Sequence, residues 1–152
     1  MDINQQYLNE VQKRFDTLSG LELYCWDLTS RELRLPPVML VHAALIFEHT
    51  GLGLALENAL SLVAPGGRFS VVLQLASAQE EGVSCTGYRS MQSLKDDFAL
   101  IDAAEFQRLM AHKGFQMTQQ QIRPLPAGKA LWHGIFAKVK NTQESDSEHN
   151  LI

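Results

Sequence analysis

The residues able to do chemistry are few and scattered. The five histidines, His42, His49, His112, His133 and His149, show neither an HExxH pair nor any other metal-ligand spacing, so a zinc site is not expected. Ser84, Ser90 and Ser93 lack the strand–turn–helix setting of a nucleophile elbow. Cys25 and Cys85 are far apart and form no CxxC; both are read as reduced thiols of a cytoplasmic protein. Gly51-Leu52-Gly53 precedes a helix-length segment, but position 56 is leucine and the next strand ends in Gln74-Leu75, with no carboxylate before Glu80. A dinucleotide loop requires both the third glycine and the acidic residue, so GLG is a helix entry. Read locally, Asp2 caps a helix and Asp27 opens a turn.

The elements that must position these residues follow from periodicity. Asp2 or Asn4 can cap a helix that presents Tyr7, Leu8, Val11, Phe15 and Leu18 on one face and ends at Ser19-Gly20. Residues 21–26 (LELYCW) alternate and predict a strand. A polar loop then runs to Pro36-Pro37. The organising stretch is 37–76. Its first run, 38–47, is nearly free of charge, as expected of a strand buried on both sheet faces. Leu52, Leu56, Ala59, Leu60 and Val63 recur at helical spacing, Ala64-Pro65-Gly66-Gly67 stops that helix, and residues 69–75 form a second buried strand. Strand, helix and strand in about 35 residues make a βαβ unit with parallel strands and a right-handed crossover.

Residues 76–90 read as a long polar loop and 91–98 as a short helix. Asp102 and Glu105 form a capping box before FQRLMAHK, with Gly114 as its stop. Residues 115–123 and 129–139, joined by a short turn, predict an antiparallel hairpin. Residues 140–152 are polar and read as a disordered tail. The 152 residues suit one core, and 45% hydrophobic with 20% charged residues is ordinary for a globular domain. A formal net charge of −4 gives no electrostatic reason to expect nucleic acid, and no apolar run is long enough to span a membrane. The polar opening MDINQQ is unlike a secretory signal.

A strand reading LVHAALIFE, a helix, and then PGGRFSVVLQL resembles the fourth and fifth strands of class I S-adenosylmethionine (SAM) dependent methyltransferases. Residues 2–15 (DINQQYLNEVQKRF) resemble the end of that family's second strand with its following helix, and 21–26 its third strand. The late hairpin resembles strands six and seven. The resemblance implies an α/β, Rossmann-like three-layer sandwich, a mostly parallel sheet with an antiparallel carboxyl-terminal hairpin, and one partial domain over 1–139. It implies SAM as cofactor and a small molecule as methyl acceptor. Asp2 would accept from the ribose hydroxyls, with Ile3 beside it. Asp27 would face the adenine amino group, and Leu28 would supply the next backbone N–H. A carboxylate suits a vicinal diol because it accepts two hydrogen bonds at once. His42 would line the cofactor site, and with Glu48 it would lie where methyl transfer occurs, as a base or a polar contact.

The resemblance begins partway into the family's domain. The first strand, its GxGxG turn and nearly all of the second strand have no counterpart before Asp2. The family's strand order is 3-2-1-4-5-7-6, so two missing strands leave about 10–15 Å between the flanking ones. Strand three docks directly on strand four, a second copy fills the gap in a homodimer, or an exposed edge remains. A link over 27–37 is close to the ~12-residue minimum for a parallel crossover. Without the glycine turn, weak SAM binding or none is expected, and the alternative reading is a non-catalytic Rossmann-like remnant that serves as an interaction module.

Overall fold

The computed structural model describes residues 1–76 and 98–139. The expected loop at 76–90, the short helix at 91–98 and the polar tail at 140–152 fall almost entirely outside the described residues. Helix α1 spans Gln5–Arg14. Its cap is Asn4, whose side chain accepts from the N–H groups of Gln6 and Tyr7, while Lys13 and Arg14 face the negative end of the helix dipole. Of the expected apolar face only Leu8 is buried; Tyr7, Phe15 and Leu18 are exposed.

Strand β1 (Val38–Ala44), the short helices α2 (Phe47–Thr50) and α3 (Leu54–Ser61), and strand β2 (Val63–Leu75) form the expected βαβ unit. The single helix read from 48–63 is two, because Gly51 sits at φ +71° between them. β2 begins earlier than expected and carries the PGG turn inside it. Val38 pairs with Val63 but Leu40 pairs with Arg68, so residues 64–67 bulge out of the ladder. Gly66 takes φ +77° there, and at Gly67 a Cβ would lie 2.9 Å from the Ala64 carbonyl oxygen and 3.0 Å from that of Met39.

Helix α4 (Ala103–His112) opens at the anticipated cap: the Asp102 side chain accepts from the Glu105 N–H at 2.8 Å. β3 (Phe115–Pro124) and β4 (Ala130–Lys138) form the hairpin. The sheet order is β1-β2-β4-β3, with β1 parallel to β2 and the other two pairs antiparallel. This is the 4-5-7-6 portion of the expected order.

Two expectations are corrected. Residues 21–26 form no strand; one parallel bridge, Asp2 to Cys25, is all the pairing they make. Alternation alone cannot hold a strand whose N–H and C=O groups find one short partner segment. β1 is not buried on both faces either. It is an edge strand, with Val38, Met39 and Leu40 exposed at 45, 63 and 59%.

The core lies on one face of the sheet. Phe69, Val71 and Leu73 of β2 point into it, as do Trp132 and Phe136 of β4, and α3 and α4 cover it with Leu56, Ala59, Leu60, Phe106 and Met110. Phe106 is the hub, its ring centroid 6.1 Å from that of Phe47, 6.3 Å from Trp132 and 6.0 Å from Phe136. Gly134 lets the Trp132 indole fold across it, since a Cβ there would sit 2.3 Å from the ring. Phe106→Ala should cost about 3–5 kcal/mol, read from the denaturant midpoint at unchanged slope. A loss below about 1 kcal/mol would mean that α4 does not seal this core.

Candidate functional site

The site is built where the chain's first residues meet 24–28. The Asp2 N–H donates to the Tyr24 carbonyl and the Trp26 N–H donates to the Asp2 carbonyl, both at 3.1 Å. This parallel bridge places Asp2 and Asp27 at the same end of two short parallel segments. Each carboxylate also shapes its own turn. Asp2 Oδ1 accepts from the Asn4 N–H at 2.8 Å, and Asp27 Oδ1 accepts from both the N–H and the hydroxyl of Thr29, each at 2.7 Å. The bonds from Thr29 hold the Asp27 carboxyl below its ordinary range. Both fall on one oxygen, and Asp27 itself is exposed.

Ile3 is 72% exposed, and its carbonyl accepts weakly from the Cys25 thiol at 3.6 Å. The Leu28 side chain packs against the core. Asn58 of α3 donates to the Leu28 and Ser30 carbonyls at 2.7 and 2.8 Å, so the helix between β1 and β2 clamps the loop that carries Asp27. Asp2, Ile3, Asp27 and Leu28 are therefore brought together. Nearby, the Tyr24 hydroxyl bonds the Glu22 carboxylate, which pushes the phenol pKa up.

His42 stands apart. Its Nδ1 is 2.9 Å from Ser70 Oγ, which is 2.9 Å from His133 Nε2, and the two rings meet edge-on with centroids 6.4 Å apart. The three residues lie on β1, β2 and β4, on the face opposite the core. Ser70 has one hydroxyl proton, so it donates to one imidazole and accepts from the other, and the two rings take complementary roles. Sequence reasoning missed Ser70 and His133. The signal was a polar residue inside each of two apolar runs, FSVVL and LWHGIF. Glu48 does not join His42 either. It is buried in α2, where Oε1 accepts from the Gln74 N–H at 2.7 Å.

No helix among the described residues is long and apolar enough to cross a membrane. No protein-family model matches the sequence, and no curated protein matches it. Solved structures do. The N-methyltransferase NodS from Bradyrhizobium japonicum superposes with a TM-score of 0.62 at 12% identity, over 91% of this chain and 71% of its own. Magnesium protoporphyrin IX methyltransferase (ChlM) from Synechocystis PCC 6803, with bound SAM, gives 0.62 at 10% identity, over 90% of this chain and 56% of its own. A 16S rRNA adenine methyltransferase from Catenulisporales acidiphilia gives 0.61 at 13% identity, over 93% and 73%. The chain thus spans between about half and three quarters of the length of these structures. Their acceptors differ widely, so the likeness does not name one. With its βαβ unit, its β1-β2-β4-β3 sheet order and this likeness, the chain has the Rossmann-like fold of the class I SAM-dependent methyltransferases.

Proposed function

We propose that the chain is a SAM-dependent methyltransferase or the carboxyl-terminal portion of one, acting on a small molecule, and that Asp2, Ile3, Asp27 and Leu28 form the adenosine side of its cofactor site. The observation that carries this reading is the Asp2–Cys25 bridge, which sets two carboxylates at the ends of adjacent parallel segments. In doubly wound folds ligands lie across such ends. The residues fit one half of the cofactor. Asp2 has a second carboxylate oxygen for the ribose diol. Asp27 Oδ2, which takes neither Thr29 bond, would accept from the adenine amino group, and the Thr29 bonds favour the ionised carboxylate. The Leu28 N–H serves the ring. His42, whose Nδ1 is engaged by Ser70, can offer Nε2. This sequence has no GxGxG turn for the methionine half.

The chemistry asked of the protein is modest. SAM carries its own reactive methyl group, and the residues of the chain orient it and the acceptor. Each charge-assisted bond from a carboxylate is worth roughly 1.5–3 kcal/mol. The missing close contacts weaken binding by on the order of 10² to 10³ relative to a complete site.

Calorimetric titration with S-adenosylhomocysteine tests the proposal. Binding should be weak, and Asp27→Ala should weaken it by a further tenfold to hundredfold, corresponding to roughly 1.4–2.8 kcal/mol. The melting temperature of the ligand-free protein should fall as well, since the two Thr29 bonds go with the carboxylate, so the affinities are compared where both proteins are folded. Equal affinity in the two proteins would remove Asp27 from the site. The carboxyl carbon of Asp27, followed by NMR, should titrate below the ordinary ~3.9 and rise in Thr29→Val. Because its folded-state pKa is depressed, the stability it contributes is present above the unfolded value and lost as pH falls through the folded one.

A second reading is supported by one observation, the β1 edge, which no other strand among the described residues pairs. Pro36-Pro37 precede the strand, but Val38, Met39 and Leu40 are exposed with no lysine within β1 to guard the edge. On this reading the chain is a non-catalytic module that self-associates through β1. Sedimentation should then show a dimer that Leu40→Lys abolishes; a monomer at all concentrations would end it.

A further inference from the structure

On the face of the sheet opposite the core, two imidazoles close on one hydroxyl. His42 Nδ1 and His133 Nε2 each lie 2.9 Å from Ser70 Oγ, and Ser70 is only 6% exposed. With both rings neutral, the single hydroxyl proton goes to one imidazole and the other imidazole donates to the oxygen. The ring that donates to Ser70 has its proton on that inner nitrogen, so its outer nitrogen is bare. The ring that accepts from Ser70 has its proton on the outer nitrogen. The outer pair, His42 Nε2 and His133 Nδ1, is therefore one N–H donor and one acceptor. Reversing the chain of bonds exchanges the two roles but never makes them alike.

A fixed charge stands beside this pair. Arg68 lies two residues before Ser70 on β2, hence on the same face, and it pairs with Leu40, two residues before His42. A long side chain reaches across that diagonal. Arg68 and His42 are exposed and His133 is half-buried. None of the ion pairs among the described residues involves Arg68. The four strands hold no aspartate or glutamate, in a chain with 17 acidic and 13 basic residues. The other strand cations are Arg123 on β3 and Lys138 on β4, whose ammonium donates to the Val63 carbonyl at 3.1 Å. An acidic chain thus keeps its sheet free of acid, and the field there favours an anion.

We propose that His42, His133 and Arg68 bind an oxyanion that keeps one proton, of the hydrogen phosphate type. Arg68 takes the charge, its planar fork matching two phosphate oxygens. The outer imidazole N–H donates to a phosphate oxygen, and the bare outer nitrogen accepts from the phosphate O–H. Sulfate of the same charge has no O–H, so one of its oxygens would meet the bare nitrogen lone pair to lone pair. Ser70 does not touch the ligand; it is a positioning residue that keeps the two imidazoles unlike. The site needs no SAM and shares only His42 Nε2 with the cofactor reading.

The test titrates the full chain with inorganic phosphate and with sulfate at about pH 8 and matched ionic strength, following the imidazole nitrogen resonances of His42 and His133 by NMR. That pH lies above the range in which an imidazole ordinarily gains its second proton, and both anions are then mainly dianions. Phosphate should bind at least about fivefold more tightly than sulfate, the yield of one net hydrogen bond. Methyl phosphate, which has lost its last proton at this pH, should bind like sulfate, which separates free phosphate from a phosphate monoester. In Ser70→Ala the preference for phosphate should shrink to within about twofold, whereas Arg68→Gln should weaken both anions alike by about threefold or more. Equal affinity for phosphate and sulfate in the wild type would overturn the proposal without need of any variant. So would methyl phosphate binding as tightly as phosphate, a preference undiminished in Ser70→Ala, or phosphate leaving the His42 and His133 resonances unmoved.

Discussion

Strand β2 is hydrogen-bonded on both sides, and the rest of the described fold hangs on that fact. Its ladder with β1 is parallel and its ladder with β4 is antiparallel, so it joins the crossover unit to the late hairpin. Strand alternation then divides its side chains. Phe69, Val71 and Leu73 are fully buried under α3 and α4. Ser70 looks the other way and links His42 to His133, while the Gln74 N–H at the strand end holds Glu48. A register slip of one residue would exchange these sets, putting Ser70 among the phenylalanines. The apolar core and the polar network on the opposite face are therefore set by one pairing.

The same constraint explains why the carboxylates and the sheet are separate constructions. Asp2 and Asp27 sit on segments that pair through a single bridge and reach the core through Leu28 and the Asn58 clamp. A site held by a turn and one helix side chain is positioned less firmly than one on a strand buried in a ladder.

Much of the fold was legible because it depends on neighbours in sequence. The capping box at Asp102 and Glu105, the crossover unit and the hairpin all follow from residues a few positions apart. What was not legible depends on distant partners. The apolar run in β1 looks doubly buried, yet burial requires a neighbour on each side, and the pattern of Val38–Ala44 carries no information about whether one exists. Residues 21–26 alternate as a strand should, but lack a ladder. Ser70 and His133 are separated by 63 positions, so the His42 network could be found only once β2 and β4 were aligned. Asp2 and Asp27 could be nominated from the resemblance, whereas the parallel bridge that joins Asp2 to Cys25 came only with three-dimensional pairing.

The central claim is that β1 ends the described sheet, with one ladder behind it and none in front. Residue-resolved amide exchange along β1 tests it most directly. Leu45 donates to Val72, so the amides in step with it, Val41 and Ala43, should face β2 and exchange slowly. Those of Leu40, His42 and Ala44 should point to the open edge and exchange orders of magnitude faster. Alternating protection of this kind is the expected result. Slow exchange at both sets alike would show a second strand seated on β1 and would contradict the account.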